Sequence, residues 1–188
     1  MRIFIALDIP EEIRKSIARY VEGVRPFAPD ARWTRPESLH VTLKFVGQAD
    51  DAKVEEIRQA LLQVKAPPLE VGFRETGFFP GARAPRVFWA GVEAPKALPA
   101  LAAAIDAALE KIGIAREDKP YHPHLTLARA GSAPAANRAF RQLPPKLPAE
   151  VPQFGTMTAQ EFFLYKSEPL RGGSRYTKLE RFPLKDAS

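Results

Sequence analysis

Two short stretches of the chain, His40-Val41-Thr42-Leu43 and His124-Leu125-Thr126-Leu127, carry the same residue types in the same order. In an extended strand, residues i and i+2 share a face. Each stretch therefore presents a histidine beside a threonine and turns two apolar residues the other way. Imidazole, with an unperturbed pKa of about 6.5, gives or takes a proton near neutral pH. Two imidazoles facing one another across a groove suit in-line displacement at phosphorus, which needs a base on the attacking oxygen and an acid on the leaving oxygen. Threonine hydroxyls can donate to the non-bridging oxygens, where charge must be held in the transition state. Nothing in this scheme requires a metal.

The pattern is specific. Thr accounts for 7 and Leu for 17 of the 188 residues, so a given histidine acquires Thr at +2 and Leu at +3 by chance roughly once in three hundred. Two of only three histidines do so. A second pair of segments, Arg2-Ile3-Phe4-Ile5-Ala6-Leu7 and Arg86-Val87-Phe88-Trp89-Ala90-Gly91, repeats with the same shift as the histidine motifs, since 86 − 2 and 124 − 40 are both 84. The chain reads as an internal duplication.

The elements that must position the motifs follow from periodicity. Ile13, Ile17, Tyr20 and Val24 mark one face of a helix over 11–24, which starts after Pro10 with acidic residues in its first turn. Leu98, Leu101, Ile105, Leu109 and Ile112 do the same for 96–112, which Gly113 ends. Each half thus reads strand, helix, then a strand bearing the histidine. A further helix is expected at 51–64, strands at 69–74, 157–166 and 175–183, and a loop rich in Pro, Ala and Gly with a short helix near 134–141 across 131–153. The expected fold is α+β: one bilobal domain over 1–188, with two mostly antiparallel sheets backed by helices around a central groove. Two independent domains joined by a Pro-rich linker are the alternative.

Composition narrows the class. The chain has no cysteine, which excludes disulfides, thiolate metal sites and cysteine nucleophiles and fits a cytoplasmic protein. No apolar run is long enough to span a membrane, and the first residues lack a secretory pattern. A net charge of +6 favours an anionic partner such as nucleic acid or a nucleotide.

The chain resembles the two-histidine phosphoesterase superfamily, and within it the RNA 2',3'-cyclic phosphodiesterase branch, also called the 2'-5' RNA ligase family. The resemblance rests on Arg2–Leu7, on Leu39-His40-Val41-Thr42-Leu43-Lys44-Phe45-Val46-Gly47, on Arg86–Gly91, and on Pro120-Tyr121-His122-Pro123-His124-Leu125-Thr126-Leu127-Ala128-Arg129. Phe163-Leu164-Tyr165, Ser167, Tyr176, Leu179, Phe182 and Leu184 extend it toward the end. It implies a bilobal fold and hydrolysis of an RNA 2',3'-cyclic phosphate to a 2'-phosphomonoester; a monomer with neither cofactor nor metal is expected. His40 would be the proton donor and His124 the proton acceptor, with Thr42, Thr126 and Arg129 on the phosphate. Members also join certain RNA ends through a 2'-5' linkage. Two other readings stand beside it: a phosphoesterase for a small nucleotide such as ADP-ribose 1'',2''-cyclic phosphate, and an RNA-binding module without turnover.

Other residues are less decided. Strict alternation puts Arg129 on the face opposite His124, and only a bulge or the strand's end would bring it round. Lys44 shares the His40 and Thr42 face on the same rule, where it would either help hold a polyanion or keep its head in water. Trp33 and Tyr121 lie just ahead of the motif strands, placed to stack on a base or to pack at a strand end. His122 should sit in the loop before Pro123, although His40, His122 and His124 could also be read as a metal triad. Phe78-Phe79-Pro80-Gly81 is expected to turn. The basic loop Arg171–Arg175 is either an RNA-backbone contact or a plain hairpin.

Overall fold

A computed structural model of the chain describes residues 1–186. The first half runs β1 (Arg2–Leu7), α1 (Glu11–Val24), β2 (Arg32–Trp33), β3 (Val41–Gln48), α2 (Asp51–Leu62) and β4 (Leu69–Phe79). The second runs β5 (Val87–Glu93), α3 (Ala97–Glu110), β6 (His124–Arg129), α4 (Pro134–Arg141), β7 (Gln153–Ala159), β8 (Glu161–Leu170) and β9 (Gly173–Pro183). Local chemistry accounts for the helices. Glu11 and Glu12 occupy the first turn of α1, whose Ile13, Ile17 and Val24 are buried. Asp50 caps α2 by accepting from the Lys53 amide at 2.8 Å, an interaction worth about 1 kcal/mol. α3 buries Leu98, Leu101, Ile105 and Leu109, and Gly113 beyond it takes the left-handed backbone that glycine tolerates best.

The strands form two antiparallel sheets, ordered β3-β1-β8-β9 and β2-β6-β5-β4-β7. Each motif strand lies beside its own repeat strand: β3 pairs with β1 and β6 with β5. The remaining strands are exchanged. β2 and β4, from the first half, belong to the second sheet, and β8 and β9, from the end of the chain, close the first. Neither half completes a sheet alone. The segment over 131–153 buries Phe140 and Leu143 in a core shared with Ile5, Phe73, Phe88 and Leu125.

Other expectations shift. The strand expected at 157–166 is two strands in different sheets, β7 and β8, separated at Gln160, whose carbonyl accepts from the Leu184 amide at 2.8 Å. No glycine or proline marks that break, so the sequence offers no turn signal there. β4 continues through Phe79, so the turn starts later than Phe78.

Lys44 is the clearest correction. Ala6 pairs with Thr42 but Ile5 pairs with Lys44, so Leu43 is an extra residue in β3. Such a bulge reverses the faces beyond it. Lys44 therefore joins Ile5 on the inner face, only 6% exposed, and its Nζ donates to Asp106 Oδ1 at 2.6 Å and to the Ala115 carbonyl at 2.9 Å. Buried in this way, it pins the first motif strand to the helix of the other half. Burial pushes the Asp106 carboxyl upward, but Lys44 and the Glu117 amide outweigh it and hold Asp106 below its usual value.

Removing one member of a buried pair strands the other charge. Lys44→Met should therefore lose about 3 kcal/mol of stability, at the low end for buried pairs because Asp106 keeps the Glu117 amide. Urea unfolding measures it; a loss under about 0.5 kcal/mol, the range of ordinary surface changes, would mean that the pair does not hold the two halves together.

Candidate active site

His40 stands at the entry to β3, just past the single 3₁₀ turn Pro36–Ser38. Its Nδ1 lies 2.8 Å from the Ser38 carbonyl. A carbonyl only accepts, so Nδ1 carries the proton and the neutral ring leaves Nε2 as its free acceptor. The ring packs over Phe4 at 4.7 Å between centroids and meets Tyr176 edge-on at 5.0 Å. Phe4 stacks in turn on Tyr165 at 5.1 Å. An aromatic layer on the outer face of the first sheet thus fixes the imidazole plane.

His124 repeats the arrangement in the second sheet. Its Nδ1 lies 2.7 Å from the His122 carbonyl, again two residues back, so its free acceptor is also Nε2. The ring meets Phe79 edge-on at 5.1 Å, and Phe79 packs against Trp89 at 5.4 Å. Trp89 pairs with Thr126 on one side and Gly77 on the other. A Cβ on Gly77 would stand 2.1 Å from the indole, so the indole lies flat there only because position 77 is glycine.

The bulge in β3 has its counterpart in β6. Trp89 pairs with Thr126 but Phe88 pairs with Ala128, leaving Leu127 as the extra residue. Leu127 and Ala128 are consequently both buried, and Arg129 swings back to the face that carries His124 and Thr126. Alternation alone had put it on the opposite face. Arg32 sits directly across from Arg129 on β2, with its Nη2 donating to the Ala130 carbonyl at 3.3 Å, so two arginines oppose each other at this end of the strand. In the first sheet the equivalent position is Phe45, half exposed, with the Arg2 guanidinium 4.9 Å above its ring. The repeat is symmetric in its histidines and threonines but not here.

The two motifs meet. β3 and β6 approach within 8 Å between Cα atoms, and Tyr121 Oη, three residues before His124, donates to the Thr42 carbonyl at 2.8 Å. Tyr121 is therefore a latch between the motifs rather than a free stacking platform, and burial pushes its hydroxyl pKa up. Trp33 turns inward as well, its Nε1 donating to the Ala28 carbonyl at 2.8 Å and its ring edge-on to Phe88. His122 is exposed and contributes its carbonyl. Among the described residues, no group of three or more His, Asp or Glu is placed to hold a metal ion. At the Arg171–Arg175 hairpin, Arg175 pairs with Glu168 at 2.9 Å.

Residues 7–89 and 91–176 match the LigT like Phosphoesterase family. The chain is 31% identical over 186 residues to the RNA 2',3'-cyclic phosphodiesterase of Methanothermobacter thermautotrophicus, covering 98% of this chain and 99% of that one. It is 35% identical to the enzyme of the same name from Thermus thermophilus, covering 98% and 91%. The crystal structure of Escherichia coli LigT complexed with 3'-AMP superposes with a TM-score of 0.80 at 28% identity, covering 98% of both chains. This chain belongs to the LigT-like phosphoesterase family.

In this LigT-like phosphoesterase the electrostatics of the two histidines can be compared directly. Burial lowers the pKa of His40, the Ser38 carbonyl raises it, and the charges of Arg14 and Asp8 oppose each other. Burial likewise lowers His124, the His122 carbonyl raises it, and Arg129 and His122 lower it further. Both are therefore held below the ordinary imidazole value, chiefly by burial. Spacing alone gives Phe79, Trp89, Tyr165 and Tyr176 no place beside the histidines, nor the carbonyls of Ser38 and His122. The period-two spacing of Phe163, Tyr165 and Ser167 was the available signal for the layer under His40.

Nitrogen-15 spectra at pH 7 should show both imidazoles neutral with the proton on Nδ1. Arg129→Gln should raise the midpoint of His124 and leave that of His40 in place, because only His124 feels Arg129. An unmoved His124 midpoint would remove Arg129 from its neighbourhood.

Proposed function

We propose that this protein hydrolyses RNA 2',3'-cyclic phosphate ends to 2'-phosphomonoesters by acid–base catalysis between His40 and His124. The observation that carries the reading is the pair of matched Nδ1–carbonyl bonds, 2.8 and 2.7 Å. Each leaves an Nε2 lone pair free beside a threonine, on strands latched by Tyr121. Water attacks phosphorus and yields its proton to His124 Nε2. The bond from phosphorus to O3' breaks, and protonated His40 returns a proton to O3'. Thr42 and Thr126 donate to the non-bridging oxygens, and Arg129 supplies positive charge to the phosphate.

The asymmetry between Arg129 and Phe45 supports this division of roles. A neighbouring cation favours the neutral imidazole that a base must be; at His124 no carboxylate offsets Arg129, whereas at His40 Asp8 partly offsets the lowering by Arg14. A 5'-hydroxyl in place of water would form a 2'-5' phosphodiester by the same transfers, and we include that ligation in the proposal. The reaction proceeds without a metal ion, since protons and fixed donors account for each charge that develops. Both motifs come from one chain, which suits a monomer, and the lack of cysteine suits the cytoplasm. No described helix is long and apolar enough to cross a membrane.

His40→Ala and His124→Ala should each lower kcat by the ~10²–10⁴-fold typical of general acid–base groups while unfolding at the wild-type denaturant concentration. Near-normal turnover in either variant would exclude that histidine. Activity should persist in EDTA; full loss restored by zinc would mean a metal mechanism. Phosphate should remain on O2' in the product, and a 3'-phosphate would reverse the assignment of the leaving oxygen.

The pH profile has a definite sign. The profile of kcat/KM reports the free enzyme, in which one imidazole must be charged and the other neutral. Because burial lowers both groups, the profile should be a bell centred below pH 6.5. A maximum near pH 8 would contradict it.

A further inference from the structure

The two histidines make the same bond to the carbonyl two residues behind them, yet the loops supplying those carbonyls are built differently. Before His124 the loop is Pro120-Tyr121-His122-Pro123. Two prolines restrict its backbone, and Tyr121 anchors it to the Thr42 carbonyl. Before His40 the chain makes a single 3₁₀ turn, Pro36–Ser38, closed by the Ser38 amide on the Arg35 carbonyl at 2.9 Å and the Leu39 amide on the Pro36 carbonyl at 3.2 Å. One such turn is weak by itself.

A side chain from another element completes it. Arg14, on the first turns of α1, donates from Nη1 to the Glu37 carbonyl at 3.1 Å and from Nη2 to the Leu39 carbonyl at 3.0 Å. These carbonyls flank Ser38 on either side. Its Nε donates to the Ile9 carbonyl at 3.2 Å, and Nη2 also meets Asp8 Oδ1 at 2.5 Å. The guanidinium is largely covered, with its side chain 16% exposed. Asp8 is held from the far side by Lys178, whose Nζ reaches Oδ2 at 2.6 Å.

We propose that Arg14 is a positioning residue for His40: by gripping the carbonyls of Glu37 and Leu39 it keeps the Ser38 carbonyl on His40 Nδ1, and so keeps the Nε2 lone pair aimed at the phosphate. Four of its contacts go to protein acceptors, so it is not a substrate arginine. The shift of 84 that relates the halves carries Asp8 to Val92 and Arg14 to Leu98, so the second half has no equivalent device. Lysine cannot replace it, because a point ammonium cannot span carbonyls that a planar fork spreads between. The assignment rests on His40 acting in catalysis, but its structural core, control of one tautomer, can be tested without turnover.

The test uses Arg14→Gln and Arg14→Lys in the full chain, with nitrogen-15 spectra of both imidazoles and with kcat and KM on a 2',3'-cyclic nucleotide. In Arg14→Gln, His40 should lose its uniform Nδ1–H form and populate both tautomers, while His124 keeps its wild-type signals. kcat should fall roughly ten- to hundredfold, the scale for a misaimed catalytic group, with KM within about twofold of wild type. Arg14→Lys should show the same change in His40, to a smaller degree.

An unchanged His40 spectrum in a folded variant overturns the proposal. So does equal disturbance of His40 and His124, which would make Arg14 a general structural residue, and so does a rise in KM at constant kcat. If Arg14→Gln does not fold, Arg14→Lys decides by the same spectra. Should the wild type itself fail to open the cyclic nucleotide, the proposed function falls, whereas the tautomer measurement still judges Arg14.

Discussion

Two strands that begin far apart in the chain must lie side by side, and everything chemical in this protein depends on that contact. The exchange of strands between the sheets enforces it. β4 leaves the first half to join the second sheet, and β8 and β9 return to close the first. Two links then cross the junction directly: the Tyr121 hydroxyl on the Thr42 carbonyl, and buried Lys44 on Asp106. Neither lobe can drift relative to the other without leaving a buried charge or a buried hydroxyl unpaired, an expensive outcome in a low-dielectric interior.

Within each lobe the decisive local feature is one extra residue. Leu43 in β3 and Leu127 in β6 are bulges, and each reverses which face the following residues occupy. In the first lobe the reversal sends Lys44 inward as a strut and Phe45 outward. In the second it buries Ala128 and sends Arg129 out beside His124. The same backbone event at equivalent positions thus delivers an aromatic ring to one side and a guanidinium to the other. A duplicated scaffold acquires two unlike histidines in this way, as the proposed division into one acid and one base requires.

The imidazoles themselves are set by what surrounds them rather than by carboxylates. Each is oriented by a backbone carbonyl on Nδ1 and by aromatic rings at its flanks, and burial keeps each neutral in the resting protein. A carbonyl orients without adding a full negative charge, so the tautomer is fixed while the pKa stays low. An arriving phosphate would bring the charge that favours protonating one of them.

Much of the candidate site was legible in the residues alone. The repeated His-x-Thr-Leu, its shift of 84, and the helices at 11–24 and 96–112 are local patterns, and periodicity reports them because side-chain direction follows backbone geometry within one element. Arg129, Lys44, Trp33 and Tyr121 could not be placed this way. A bulge is defined by the partner strand, so no count along β3 or β6 alone reveals it. An inward ring or an ion pair is defined by what another element offers it, as Ala28 does for Trp33 and Asp106 for Lys44. The amino-acid order determined which groups the protein has and how they alternate. Tertiary pairing decided which face each finally meets, because that choice is made between strands and not within them.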